Sequence, residues 1–240
     1  MLRVTSGRRL DPAPTAVLLD LDGTMLDSAP TITRALARVA ADYGHTYDPE
    51  DLRRFVGPPV RRTLAELVPE VPVDEVVAHY RALYATTMRE APLFAQTRPL
   101  LDGLAATGLP LAVATSKRET AAQDLLDHHG LADRFLAICG AGEGDAHADK
   151  AAVVTDALGR LRTAGADTAV VVMVGDKIHD IDGAAANGLA TIMVGWGYGT
   201  DDERARGLAV ASDEVDLLRL LGADVLPGRR TDQVAVPTVG

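Results

Sequence analysis

The stretch "VLLDLDGTMLDSAP", residues 17–30, decides the fold. It begins as an apolar run typical of a buried β-strand, and it then places Asp20 and Asp22 two positions apart, followed by Gly23 and Thr24. Carboxylates at the mouth of a hydrophobic sheet lose hydration, which is unfavourable unless positive charge compensates them. The stretch therefore predicts a strand whose carboxyl end carries a charged site.

The overall charge narrows the classes of partner. The chain has 240 residues, and its 24 Lys and Arg against 34 Asp and Glu give a net charge of −10. This balance argues against nonspecific binding to nucleic acid or to an anionic membrane, because both need a basic surface. Residues 1–10 lack the apolar core of a signal peptide, and no run is long enough to span a membrane. A cytoplasmic protein is expected, with Cys139 as a buried apolar residue that has no disulfide partner.

Short apolar runs recur along the chain, and segments with helical periodicity separate the later ones. Continuous apolar runs of this kind are typical of parallel strands that helices cover on both faces. The sequence therefore predicts an α/β fold with a doubly wound, mostly parallel Rossmann-like sheet. The predicted strands are 16–20, 110–115, 135–138, 169–174 and 190–194, and the predicted helices are about 99–107, 117–129, 149–162 and 180–187.

The segment 28–95 breaks this alternation because it shows helical periodicity without a strand pattern. We interpret it as an all-helical cap inserted after the first strand; the alternative is an extended helical face of the same domain. The α/β core then comprises 15–27 and 96–222. Residues 1–14 are predicted to be a flexible leader and residues 223–240 a C-terminal tail.

Polar residues follow several of the predicted strands directly. In open α/β sheets ligands bind beyond the carboxyl ends of the strands, so these residues are expected at one edge. They are Asp20, Asp22 and Thr24 after the first strand, Thr115, Ser116 and Lys117 after the second, Lys150 at the start of a later helix, and Asp176, Asp180 and Asp182 after the fourth strand.

Three of these carboxylates, Asp20, Asp22 and Asp176, would repel one another in a partly dry site. A bound cation removes that repulsion, and ligands that are all oxygen atoms favour a hard ion. Mg²⁺ is the natural choice because it keeps several waters and shares its remaining positions with phosphate oxygens. The sequence has no His/Cys pattern that indicates zinc.

The quoted segments "DLDGTMLDS", "ATSK" and "GDKIHD", with Lys150, resemble the four motifs of the haloacid dehalogenase superfamily. They occur in the order expected for that superfamily, and the resemblance spans about residues 16–195. The helical insertion is similar to the cap that many members carry between the first and second motifs. The resemblance implies a phosphoryl-transfer enzyme.

The resemblance also implies roles for the acidic residues. Asp20 would be the nucleophile that forms an aspartyl-phosphate, and Asp22 would be the general acid and then the general base. Mg²⁺ would be held by the Asp20 carboxylate, the Asp22 backbone carbonyl and Asp176, with Asp180 in support.

The substrate's phosphoryl oxygens would be held by Thr115 and Lys150, and further substrate-binding residues would be Gly23, Thr24, Ser116 and Arg61. Gly23 would let the backbone approach the phosphate closely. The alternatives are structural: Thr115 or Ser116 as a helix cap, Lys150 as a solvated loop lysine, and Lys117 with no assigned role.

The second aspartate separates two reaction classes. Dehalogenases of the family need neither an acid nor a metal, so Asp22 favours a phosphatase. "FVGPPVRRTL" and "VGWGYGT" are similar to the phosphoglycolate phosphatase-like branch, which includes 5′-nucleotidases. Arg61 or Arg62 would bind a substrate carboxylate, or would be solvated. Trp196 and Tyr198 would stack on a base or pack against the sheet edge.

The resulting hypothesis is a Mg²⁺-dependent phosphatase that hydrolyses a small phosphomonoester, phosphoglycolate-like or a nucleoside monophosphate, through an aspartyl-phosphate. The alternatives are a phosphomutase of the same fold and a non-catalytic regulator that binds a phosphorylated metabolite. The expected partner is a small phosphorylated metabolite, with no nucleic acid and no membrane. A monomer or a homodimer is expected.

Overall fold

The computed structural model describes residues 2–142 and 149–223. Its main feature is a six-stranded parallel sheet with the strand order β5-β4-β3-β6-β7-β8. The strands are β3 Ala16–Leu19, β4 Leu111–Arg118, β5 Ala137–Ala141, β6 Val171–Gly175, β7 Ala190–Val194 and β8 Ala209–Ala211. The predicted tail, 223–240, lies outside the described residues except for Ala223.

Helices of the core cover the sheet. They are α4 Thr97–Ala105, α5 Glu119–His128, α6 Lys150–Thr163, α7 Ile178–Ala185, α8 Asp201–Arg204 and α9 Glu214–Leu220. The alternating side chains of β3 show the two covered faces, since Val17 and Leu19 belong to one buried apolar cluster and Ala16 and Leu18 to the other. The predicted fold class, a doubly wound and mostly parallel α/β sheet, is confirmed.

Between β3 and β4 the chain is helical. This segment contains α1 Ala29–Asp42, a 3₁₀ helix Pro49–Phe55, α2 Val60–Leu67, α3 Val73–Thr87 and a 3₁₀ helix Met88–Glu90. Leu26 and Leu93, at the two ends of the segment, form an isolated antiparallel bridge. The inserted helical segment, for which we keep the name cap, therefore leaves and rejoins the core at one place.

The carboxyl end of β3 lies in the middle of the sheet, between β4 and β6. The chain moves to one side of β3 to form β4 and returns to the other side to form β6, which opens a crevice beyond the strand ends. Asp20 follows β3 at this crevice, and its backbone N–H donates to the Val174 carbonyl of β6 at 2.9 Å.

Two elements differ from the sequence-based expectations. The predicted leader, 1–14, contains an antiparallel hairpin of β1 Arg3–Val4 and β2 Leu10–Asp11, with Leu10 buried. It was overlooked because a strand of two residues shows no alternation. The edge strand β8 was also not predicted, for the same reason of length.

The hairpin is attached to the core through Arg8. The Arg8 guanidinium donates from Nε to Oδ1 of Asp216 at 2.8 Å and from Nη2 to Oδ2 at 2.6 Å. Nη2 also donates to the Val210 carbonyl at 3.0 Å. The hydrogen bonds that Arg8 donates to Asp216 hold the pKa of this carboxyl group below its usual range.

The helices of the described residues include none that is both long and apolar enough to cross a membrane.

Replacing Arg8 by methionine is expected to lower the free energy of unfolding by about 1 kcal/mol near neutral pH, because the pair is bidentate but half-exposed. A depressed carboxyl pKa stabilises the fold above the ordinary aspartate pKa of about 3.9, and this contribution disappears as the pH falls through the folded-state value. The difference between wild type and Arg8→Met in urea unfolding should therefore vanish in acid. Arg3→Met, which breaks the more exposed pair with Asp11, is the control. An undiminished difference in acid would contradict this role of the pair.

Candidate active site

The residues predicted after separate strands come together at the crevice. Asp20, Asp22, Thr115, Ser116, Lys150, Asp176 and Asp180 all line one cavity of about 270 Å³ between the core and the cap. Of these, Asp20, Thr115, Lys150, Asp176 and Asp180 are buried. The sheet edge therefore presents several buried charges to one cavity.

The central interaction of the site is made by the Lys150 ammonium. Lys150 Nζ lies 2.6 Å from Asp20 Oδ1 and 2.6 Å from Asp180 Oδ1. The other oxygen of Asp180 accepts the backbone N–H groups of Asp176 and Lys177, both at 3.0 Å. Lys150 therefore joins the helix α6 to the ends of both β3 and β6.

Two glycines make room for this arrangement. A Cβ atom at Gly183 would lie 2.6 Å from Lys150 Cγ, and one at Gly175 would lie 2.3 Å from Asp180 Cγ. The absence of side chains at these positions lets Lys150 and Asp180 pack against the backbone of α7 and β6.

Burial dominates the protonation of the site. Loss of hydration raises the pKa of Asp20 to about 7, although the nearby Lys150 charge opposes this rise. Burial, followed by the Asp180 and Asp20 charges, raises the pKa of Asp176 as well. Burial disfavours the Lys150 charge, but Asp180 and Asp20 outweigh it and raise the pKa of this ammonium. The site therefore carries more carboxylate than one lysine compensates.

A group of carboxylates in the described residues suits a metal ion. Asp20, Asp176 and Asp180 each offer an oxygen, and these oxygens lie within 4.8 Å of one another. Among the described residues Asp176 Oδ1 is buried without a hydrogen-bond partner, while its Oδ2 accepts the Tyr198 N–H at 2.7 Å. A buried, unpaired carboxylate oxygen in an all-oxygen group fits a hard divalent cation such as Mg²⁺.

Asp22 has a separate cationic partner. Lys117 Nζ lies 3.0 Å from Asp22 Oδ2, and the side chains are 7% and 12% exposed. Lys117 also donates to the Tyr84 hydroxyl of the cap helix α3 at 3.1 Å. Sequence reasoning left Lys117 without a role, because its partner Tyr84 comes from the inserted segment.

The carboxyl-terminal part of β4 supplies hydroxyl groups to the cavity. Thr115 and Ser116 both line it, and Thr115 Oγ1 accepts the Lys117 backbone N–H at 3.2 Å. Thr115 is therefore a cavity residue whose hydroxyl group also binds the backbone of its own strand, and it does not cap the helix that follows.

Gly23 and Thr24 are adjacent to the site, and their backbone groups make hydrogen bonds within the protein. The Gly23 N–H donates to the Leu26 carbonyl at 2.9 Å, and a Cβ atom at Gly23 would lie 2.3 Å from Asp176 Oδ2. Thr24 is 1% exposed, and its carbonyl accepts the Trp196 indole N–H at 3.0 Å. The close approach that Gly23 permits is thus to the Asp176 carboxylate, whereas the expected approach was to a phosphate.

Arg61 lies on the cap surface, where its guanidinium pairs with Asp74. Arg61 is not among the residues that line the cavity, whereas Arg81 of α3 is. Arg61 therefore does not face the cavity in this structure, and its contact with a substrate stays a prediction. The adjacent arginines at 61–62 do not distinguish a substrate-binding residue from a surface residue, because arginine is also common on the exposed face of a helix.

The glycine-rich segment after β7 makes hydrogen bonds to the turn that follows β3. The Tyr198 hydroxyl donates to Asp27 Oδ1 at 2.7 Å and accepts the Ala29 N–H at 3.0 Å. With the Trp196 contact to Thr24, these bonds fix the turn that follows β3. Both aromatic residues are partly buried and pack against the apolar core, as the structural alternative predicted.

Residues 17–194 match a family model of haloacid dehalogenase-like hydrolases. The chain belongs to this family. The match includes all four segments that form the site, and it confirms the predicted superfamily.

Three relatives in this family carry different names. The tyrosine-protein kinase PtkA of Mycobacterium tuberculosis is 40% identical over 192 residues, which cover 79% of this chain and 65% of PtkA. The chain therefore spans about two thirds of the length of that relative. A solved structure of PtkA has a TM-score of 0.76 and 36% identity, covering 88% of this chain and 99% of the solved chain.

The other two relatives are named a 5′-nucleotidase and a phosphoglycolate phosphatase. A 5′-nucleotidase of Pseudomonas aeruginosa is 34% identical over 193 residues, covering 78% of this chain and 85% of the relative. A phosphoglycolate phosphatase of Agrobacterium fabrum is 34% identical over 202 residues, covering 78% and 83%. These relatives and the family match place the chain among haloacid dehalogenase-like hydrolases, some of which are named as enzymes that act on phosphate esters.

The cap wall of the cavity was not predicted from the sequence. It is largely apolar, with Arg81 as a half-buried cation of α3. Helical periodicity shows that a cap helix has a buried face, but it does not distinguish packing within the cap from a cavity wall. The apolar wall residues include Ile32, Leu36, Phe55, Val60, Tyr80 and Met88.

Replacing Gly23 by alanine is expected to displace the Asp176 carboxylate and to abolish stabilisation of the fold by Mg²⁺. Gly108→Ala is the matched control, since both glycines have positive φ, +85° and +71°, but no atom lies within 4 Å of a Cβ at Gly108. Both variants should lose roughly 1 kcal/mol of stability from the left-handed backbone. Thermal unfolding with and without Mg²⁺ separates them, and a wild-type Mg²⁺ response in Gly23→Ala would contradict the assignment.

Proposed function

We propose that the protein is a Mg²⁺-dependent phosphatase that hydrolyses small phosphomonoesters through an aspartyl-phosphate on Asp20. The observation that carries the proposal is the buried Asp20–Lys150–Asp180 interaction, with Asp176 and Asp22 facing the same cavity. The group contains a candidate nucleophile, a compensating ammonium, an unpaired metal-ligand oxygen and a second carboxylate for proton transfer.

In the first half-reaction a carboxylate oxygen of Asp20 attacks phosphorus, and the ester P–O bond breaks. The leaving oxygen takes a proton from Asp22, so the alcohol departs neutral. Lys150, 2.6 Å from Asp20 Oδ1, is close enough to contact the transferred phosphoryl group and to offset its negative charge. Thr115 and Ser116, which also line the cavity, would offer hydroxyl groups to the phosphoryl oxygens.

In the second half-reaction Asp22 takes a proton from water as the water oxygen attacks phosphorus. The bond between phosphorus and Asp20 breaks, which releases inorganic phosphate and restores the Asp20 carboxylate and the protonated Asp22 carboxyl group. Acyl phosphates are reactive, so this step needs a positioned base more than further activation.

The proposed metal ligands are Asp20, the Asp22 backbone carbonyl and Asp176, with Asp180 in support through its contact with Lys150. Bound Mg²⁺ would supply positive charge for the carboxylates and for the oxygens of the phosphoryl group. The buried, unpaired Asp176 Oδ1 supports this assignment.

The cavity limits the alcohol part of the substrate. Its volume of about 270 Å³ suits a small ester, and its cap wall is apolar apart from a few groups such as Arg81 and Thr63. We propose that Arg81 binds a second polar or anionic group of the substrate, the role that the sequence suggested for Arg61. Phosphoglycolate-like esters and nucleoside monophosphates both remain candidates, and relatives carry the corresponding names.

A second candidate function is transfer of the phosphoryl group from Asp20 to a hydroxyl group other than water. The 40% identity with PtkA, which is named a tyrosine-protein kinase, favours it. Asp22 could deprotonate an acceptor hydroxyl as it would water, so only the product distinguishes the two reactions. A cytoplasmic location and a monomeric or homodimeric state stay predictions.

The test of the proposed function is phosphate release from p-nitrophenyl phosphate and from a panel of phosphoglycolate, sugar phosphates and nucleoside monophosphates. Asp20→Asn should lose at least about a thousandfold in kcat, because the covalent route is closed. EDTA should silence the wild type and Mg²⁺ should restore it.

The matched control is Asp182→Asn, because Asp182 lies on α7 near Asp180 but is 61% exposed and pairs with Arg206. This variant should keep wild-type activity. Turnover by Asp20→Asn would refute the assignment of Asp20 as the nucleophile. Activity that EDTA does not reduce would refute the requirement for a metal. A phosphorylated acceptor in place of inorganic phosphate would favour the second candidate.

Replacing Arg81 by methionine is expected to raise KM for phosphoglycolate by about tenfold or more, since a hydrogen bond to a charged group contributes roughly 1.5–3 kcal/mol. KM for p-nitrophenyl phosphate, which has no second anionic group, should change little. Arg61→Met is the control on the cap surface and should leave both constants unchanged. A selective effect of Arg61→Met would instead restore the sequence-based assignment.

A further inference from the structure

We propose that Lys117 and Tyr84 act as positioning residues that orient Asp22 only when the cap covers the core. This inference rests on the proposed function, in which Asp22 transfers the proton. In it, Lys117 fixes one oxygen of Asp22, and the Tyr84 hydroxyl makes that contact depend on the cap.

The first observation is the chain of contacts. Lys117 Nζ lies 3.0 Å from Asp22 Oδ2 and donates to the Tyr84 hydroxyl at 3.1 Å. The same ammonium lies 4.8 Å from the centre of the Tyr84 ring. One buried cation therefore contacts the carboxylate of the core loop and both the hydroxyl and the ring of a cap residue.

The second observation is the state of the other Asp22 oxygen. In residues 2–142 and 149–223, Asp22 Oδ1 is buried and has no hydrogen-bond partner. Asp22 lines the cavity, so the two oxygens differ: Lys117 holds Oδ2, and Oδ1 is left to exchange a proton with the leaving group or with water. A fixed carboxylate orientation is what proton transfer at a defined atom needs.

The third observation concerns what holds each end. The Lys117 backbone N–H donates to Thr115 Oγ1 at 3.2 Å, so the lysine backbone is attached to β4 of the core. The Tyr84 ring stacks on Tyr80 one helical turn earlier, with ring centres 5.4 Å apart and planes at 11°. Tyr84 is therefore placed by α3, and displacement of the cap would remove its hydroxyl from Lys117.

An alternative explanation is that Lys117 only compensates buried charge. In that case removal of the Tyr84 hydroxyl would leave proton transfer unaffected, because the Lys117–Asp22 pair would remain. Tyr84→Phe removes the hydroxyl and keeps the ring and its stacking, so it separates the two explanations with little risk to the fold.

The experiment measures kcat and KM for two esters. The leaving group of p-nitrophenyl phosphate is a stable anion and needs little protonation, whereas the leaving group of an alkyl phosphate must be protonated as it departs. Tyr84→Phe should lower kcat for the alkyl ester by about tenfold, as expected for one hydrogen bond to a charged group. The kcat for the aryl ester should change much less. Tyr47→Phe is the control, since the Tyr47 hydroxyl bonds the Leu67 carbonyl within the cap.

Two substitutions of Lys117 complete the test. Lys117→Met should lose about a hundredfold in kcat for the alkyl ester, the lower range for a general acid or base. Lys117→Arg should recover part of that loss because it keeps a cation beside Asp22. Thermal unfolding of each variant reports whether the fold is retained, and Tyr84→Phe carries the test if Lys117→Met unfolds.

The outcomes separate this inference from the proposed function. Wild-type activity that Asp20→Asn abolishes, with Tyr84→Phe equal to Tyr47→Phe on both esters, would overturn the inference and leave the phosphatase intact. An equal loss of kcat on both esters in Tyr84→Phe would also overturn it, because the substitution would then not act through protonation of the leaving group. Absence of hydrolysis by the wild type would overturn both.

Discussion

The structure depends on the buried ammonium of Lys150 between the Asp20 and Asp180 carboxylates. Placing carboxylates at the end of a hydrophobic strand is strongly unfavourable without a counter-charge, and this lysine provides part of it from a different helix. The two ion pairs of Lys150 therefore connect the residue that follows β3 with the first turn of the helix that follows β6. They also leave a deficit of positive charge, which is the physical reason for expecting a divalent cation beside Asp176.

The remaining charge of the site is divided between two lysines with different attachments. Lys150 contacts groups that belong to the core alone, whereas Lys117 contacts Asp22 in the core and Tyr84 in the cap. In the proposed mechanism the contact between Lys150 and Asp20 would therefore not depend on the cap, whereas the contacts of Asp22 would. This division suits a reaction in which water must be excluded until the substrate is bound.

The sequence was most informative where a residue's position follows from the strand it ends. Asp20, Thr115 and Asp176 could be placed together because parallel strands present their carboxyl ends at one edge. Lys150 was placed at the same edge because a predicted helix begins there, but its role toward the phosphoryl group came only from the resemblance to a known family. Gly23 was singled out correctly, but its neighbour is the Asp176 carboxylate, which only the packing of β6 reveals.

The cap was predicted as a helical insertion, but its contribution to the site was not. Arg61 and Arg81 both lie on amphipathic cap helices, and periodicity alone does not show which helix face meets the core. In the structure Arg61 pairs with Asp74 outside the cavity, and Arg81 lines it. The missing information was the docking of one helical layer onto another, which depends on long-range packing.

This difference between core and cap explains how relatives with three different names share so much of the chain. In the proposed function the core residues would bind the phosphoryl group and the metal, which are common to every reaction of this type, so they would carry no information about the alcohol. The cap wall, with its apolar surface and Arg81, would contact the part of the substrate that varies. Substrate choice should therefore follow the few cap residues that face the cavity, and overall identity with a relative is a poor guide to it.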